Sequence, residues 1–132
     1  MKILFYLTFG YIDLSGTADD YRALAALISA GGGTYAAEHD APDPFGGTAL
    51  SCVRISTTAN SMVLISVDHA GGTLQISGAP APLAIFASNL ESMAADEHGG
   101  HLHIEHYPDH PYLGPASADV IVNSPHGGMP TR

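Results

Sequence analysis

The chain reads as a single α+β domain. Three observations predict this class. Short runs rich in Ile, Leu, Val and Tyr are bounded by Gly- and Pro-containing turns, and two stretches carry apolar residues at helical spacing. The composition, 45% hydrophobic and 13% charged over 132 residues, is that of one globular core. The predicted order is β-α-β-β-β-α-β-β, with a mostly antiparallel sheet and two helices packed on one of its faces. Residues 1–123 are expected to form the domain and residues 124–132 a flexible C-terminal tail.

Residues 2–8 read as a buried strand that resumes through Tyr11-Ile12-Asp13-Leu14. Ser15-Gly16 makes a turn. Thr17 is a capping residue, Asp19 and Asp20 suit the positive end of a helix dipole, and Tyr21, Leu24, Leu27 and Ile28 recur at helical spacing. Gly31-Gly32-Gly33 ends that helix. Residues 34–48, including Asp40 and Asp43, read as a loop. Strands are expected at 50–56, 62–67 and 73–77, joined by short polar or Gly-rich turns. Pro80 and Pro82 open a second helix with Leu83, Phe86, Leu90 and Met93 on its apolar stripe. Gly99-Gly100 lead into a strand from His101, and Val120-Ile121-Val122 closes the domain. Leu14-Ser15-Gly16 followed by Tyr21 and Leu24 echoes Ile76-Ser77-Gly78 followed by Leu83 and Phe86. Ser-Gly turns are common, so chance accounts for this echo at least as well as an internal repeat does.

Charge narrows the function classes. Thirteen Asp plus Glu face four Lys plus Arg, for a formal charge of −9. There is no basic patch to neutralise phosphates, so neither nucleic acid nor an anionic membrane is an expected ligand. A basic protein is a better match, because complementary charge speeds encounter. Cys52 is the only cysteine. An intrachain disulfide is therefore impossible, which fits a reducing compartment. The apolar run after Lys2 is too short for a secretion signal, and no run reaches the ~20 apolar residues of a membrane span.

The segment His101-Leu102-His103-Ile104-Glu105-His106-Tyr107-Pro108-Asp109-His110-Pro111-Tyr112 concentrates the chemistry. It holds four of the eight histidines. In a strand, His101, His103 and Glu105 share one face and Leu102 and Ile104 the other. Pro108 and Pro111 stiffen the second half of the segment, which reads equally as a rigid loop projecting two tyrosines and a histidine towards a partner and as a tight turn whose tyrosines cover the sheet edge. His101, His103, Glu105, Tyr107, Asp109, His110 and Tyr112 are therefore the candidate partner-binding residues. A metal-binding protein or metal-dependent enzyme using His101, His103 and Glu105 is the alternative. No catalytic residues are assigned: no Gly-x-Ser-x-Gly elbow is present, and Cys52 sits in an apolar strand with no sign of activation. Gly31-Gly32-Gly33 follows a helix and precedes no Gly-Lys-Ser/Thr, so it is not a phosphate loop. No cofactor is called for.

Strand, Ser-Gly turn, helix and the His101-Leu102-His103-Ile104-Glu105 strand stand together with Tyr107-Pro108, Pro111-Tyr112-Leu113, Pro115-Ala116-Ser117 and Val120-Ile121-Val122. This set resembles the Imm32 family of bacterial immunity proteins, best over residues 73–123. The resemblance implies a small cytoplasmic α+β protein that binds and neutralises a cognate toxin of a polymorphic toxin system, and an inhibitor rather than an enzyme. Many such toxins are nucleases with basic clefts, which an acidic inhibitor would fit.

Overall fold

The computed structural model describes residues 1–8, 10–38 and 46–126. The acidic segment with Asp40 and Asp43, and residues 127–132 of the expected tail, lie outside them. The elements are β1 (Lys2–Tyr6), β2 (Tyr11–Ser15), α1 (Ala18–Ala30), β3 (Gly32–Ala36), β4 (Thr48–Ala49), β5 (Cys52–Thr57), β6 (Leu64–Asp68), β7 (Thr73–Gly78), α2 (Pro80–Ala94), β8 (His101–Ile104) and β9 (Asp119–Asn123). The α+β class, the two helices and the mostly antiparallel pairing are as expected. The strands divide between two sheets instead of filling one, and extra strands lengthen the predicted order. The first sheet runs β4-β1-β2-β9-β8 and the second β3-β5-β7-β6. Each contains one parallel pair, β2 with β9 and β5 with β7.

The helices begin and end as their sequences dictate. Thr17 accepts a hydrogen bond from Asp20 N, and Asp20 accepts one from Thr17 N, which completes a capping box at α1. Gly31 stops α1 in the left-handed region at φ 78°, where its N–H reaches Ile28 O and Leu27 O. Pro80 opens α2, where a missing N–H leaves no bond unmade. Tyr21, Leu24, Ala25 and Ile28 of α1 and Leu83, Phe86, Ala87 and Leu90 of α2 are buried. The helices pack against each other, with α1 touching β3 and α2 touching β7 and β9. One core cluster joins them to Ile3, Ile12, Leu14, Val120 and Val122 of the first sheet and to Val53, Ile65, Leu74 and Ile76 of the second.

The echo in the sequence is a structural repeat. Lys2 pairs with Ser15, and Leu64, 62 residues after Lys2, pairs with Ser77, 62 residues after Ser15. Thus β1-β2-α1 corresponds to β6-β7-α2. Each half also ends in an antiparallel pair, β3 with β5 and β8 with β9. These pairs are exchanged: β9 joins β2 of the first half, and β5 joins β7 of the second. Tyr21 on α1 fastens the exchange, its hydroxyl lying within hydrogen-bond reach of both Leu14 O and Asn123 O. Burial and the nearby Asp13 and Asp20 carboxylates push that phenol well above its ordinary pKa, so it keeps its proton. Among the described residues, no helix is long and apolar enough to cross a membrane.

Candidate functional site

The site forms where β8, the outermost strand of its sheet, meets the segment 105–113 and one side of α2. Alternation in β8 is as the sequence predicts: His101 and His103 are exposed, Leu102 is half-buried and Ile104 is buried. Register places His103 beside Ile121 and His101 beside Asn123. One step past the last registered pair, Ile104 with Val120, Glu105 comes level with Asp119. His103 Nε2 lies 3.9 Å from both Glu105 Oε2 and Asp119 Oδ2.

After Glu105 the chain turns on itself. Tyr107 O accepts from His110 N, Pro108 occupies the second turn position, and Asp109 takes a positive φ of 67° in the third. This is the type II pattern, in which proline presets the second residue and the third must be left-handed. The turn brings four rings into a chain running from surface to core. Tyr107, 52% exposed, lies 4.7 Å from His110, which lies 4.7 Å from Tyr112, which stacks on Phe86 at 5.7 Å. Asn89 of α2 donates to the Tyr112 hydroxyl at 2.6 Å. Burial holds that phenol above its ordinary pKa, against the opposing effect of Asn89.

His110 is a fixed acceptor. Its Nδ1 takes the N–H groups of Tyr112 and Leu113 at 3.1 and 2.9 Å, so the ring proton sits on Nε2. Burial lowers its pKa, and neighbouring His106 lowers it further. His106 in turn presents Nδ1 to Leu113 O at 2.9 Å, where it donates.

A cavity of about 290 Å³ opens among these elements, lined by Asn89, Leu102, His103, Ile104, Glu105, Tyr107, His110, Pro111 and Tyr112. It gathers five of the seven residues singled out from the sequence: His103, Glu105, Tyr107, His110 and Tyr112. His101 and Asp109 stand outside its lining. His110 and Tyr112 are buried, so they present only the cavity-facing part of their rings. Asn89 and Asp119 are additions that sequence patterning did not reveal. Asn89 sits on the polar side of a helix, and the role of Asp119 depends on the β8–β9 register. The stretch of chain that supplies the site is acidic in sequence: residues 55–131 contain seven Asp plus Glu and neither Lys nor Arg.

No curated protein and no solved structure gives a significant match to the chain. A family model does match over residues 73–125, which span β7, α2, β8, the cavity turn and β9. That match supports the family suggested by the sequence: Imm32, Immunity protein 32.

Proposed function

We propose that this chain is an immunity protein that neutralises a cognate bacterial toxin by direct contact, using the cavity beside β8 as the anchor of the interface. The cavity carries the reading. It is an open cleft that combines apolar lining, from Leu102, Ile104 and Tyr112, with the exposed aromatic ring of Tyr107 and acidic groups at Glu105 and nearby Asp119. Buried aromatic anchors within a polar rim are the usual energetic centre of a protein interface. Among the described residues no strand lies on the outer side of β8, so that edge offers backbone groups for a toxin loop or strand to pair with. A basic toxin surface, such as a nuclease cleft, complements the excess of carboxylates and would be steered towards it.

The test is co-expression with the toxic domain encoded beside this gene, scored by growth. The parent chain rescues growth. Tyr107→Ala/Glu105→Lys, which changes two exposed side chains, loses rescue while remaining folded, and Arg54→Ala on the other sheet retains it. A folded parent that gives no protection, or a double variant that protects as well as the parent, contradicts the proposal.

A further inference from the structure

We propose that His103, Glu105 and Asp119 form a binding site for one divalent first-row transition metal, with Zn²⁺ as the representative ion. One ligand atom from each residue lies within 4.8 Å of the other two. Ligand atoms around a tetrahedral zinc stand roughly 3.3–3.6 Å apart, from bond lengths of about 2.0–2.2 Å. The observed 3.9 Å from His103 Nε2 to each carboxylate is wider by a few tenths of an ångström, and the Glu105–Asp119 edge, within 4.8 Å, has further to close. The side chains are 45%, 58% and 38% exposed for His103, Glu105 and Asp119, so small χ rotations close the set without moving the core.

Electrostatics gives the site a reason to take a cation. Glu105, one residue past the end of β8, lies beside Asp119 of β9, and like charges at that spacing repel. Among the ion pairs of the described residues, neither carboxylate meets a Lys or Arg, and His103 alone lies 3.9 Å from both. A divalent ion between the two carboxylates converts that repulsion into attraction.

The repeat supplies an internal comparison. The pair Thr34–Arg54 of the second sheet occupies the place of His103–Ile121, and Ala36–Cys52 that of Asp119 and of Glu105, one residue past the ladder. The same scaffold therefore closes with Thr34, Ala36 and Cys52 where the first sheet carries His103, Glu105 and Asp119. Strand pairing does not require the three ligand-type residues. A mixed imidazole and carboxylate set selects Zn²⁺, Mn²⁺ or Fe²⁺ over Ca²⁺ and Mg²⁺, which favour all-oxygen shells. Three protein ligands leave a coordination position for water or for a partner's side chain. His101, earlier on β8, is not part of the set, so the metal trio expected from the sequence is revised by exchanging His101 for Asp119.

The experiment is isothermal titration of the untagged, chelator-stripped chain with Zn²⁺, with histidine ¹H–¹⁵N spectra recorded in parallel. The expected result is saturation at one ion per chain and a Zn²⁺-dependent shift of the His103 ring nitrogens. His103→Ala and Asp119→Asn each weaken binding by about tenfold or more, while His101→Ala leaves it within about twofold. Circular dichroism verifies that the variants fold. Absence of saturable binding, or a folded His103→Ala chain that binds as the parent does, overturns the proposal. Neither readout involves a toxin, so this result is separate from the immunity test.

Discussion

Asn89 and Tyr112 tie helix α2 to the cavity turn: the Asn89 amide donates to the Tyr112 hydroxyl at 2.6 Å while Phe86 stacks on the same ring. The cavity wall is thus an extension of the core. Tyr112→Phe is expected to destabilise the fold by about 1 kcal/mol, because a half-buried amide loses its partner. Tyr112→Ala is expected to lose about 3–5 kcal/mol by removing the ring as well. Urea denaturation measures both. A Tyr112→Phe midpoint equal to the parent's would show that the hydrogen bond contributes nothing.

His110 makes stability depend on pH. Its folded pKa lies below its unfolded value because of burial first and His106 second. Below the unfolded value of about 6.5 the unfolded chain binds the extra proton, so this contribution is full above that pH and declines as pH falls. The slope from one proton is at most about 1.4 kcal/mol per pH unit. Asp20 acts in a lower window. Burial alone would raise its pKa, but hydrogen bonds from Tyr35 and Thr17 and the Met1 ammonium hold it at about 2. Its contribution therefore persists above about pH 4 and fades only as pH falls towards 2. His110→Asn, which keeps an acceptor near Nδ1, should flatten the unfolding midpoint between pH 7.5 and 5.5. An unchanged profile would remove His110 as the cause.

The turn at Asp109 stores strain, since its φ of 67° is costly for a residue with a Cβ. Asp109→Gly should be neutral or mildly stabilising. Asp109→Val should destabilise the chain by roughly 1–2 kcal/mol. Equal melting temperatures for the two variants would show that the turn relaxes at no cost.

The exchanged strand pairs make the halves interdependent. A fragment covering residues 1–60 lacks β9, the partner of β2, and one covering 61–126 lacks β5, the partner of β7. Each alone is expected to be unfolded by circular dichroism, and mixing is expected to restore structure. A cooperative thermal transition from either fragment alone would contradict this.

The sequence carried local information well and pairing information poorly. Thr17, Tyr21, Leu24, Ile28 and Gly31 marked α1 because caps and helical spacing are local. The alternation of β8 was visible for the same reason. β3 was hidden where the sequence reads a helix stop at Gly31-Gly32-Gly33 and a loop from residue 34, because Gly32-Gly33 lowers strand propensity and tertiary pairing with β5 overrides it. The two-sheet division was hidden because strand patterns do not name their partners. Asp119 joined His103 and Glu105 only through register, and Tyr112, a candidate partner contact in the sequence, is drawn under α2 by Phe86 and Asn89.

The most direct test of the proposed immunity through the β8 cavity is the affinity of the purified chain for a candidate toxic domain from a neighbouring gene, measured for the parent and for Tyr107→Ala/Glu105→Lys. Tight binding is predicted for the parent, with a loss of at least about 2 kcal/mol, roughly thirtyfold, in the folded variant. No binding by the parent, or equal binding by both, would contradict that role.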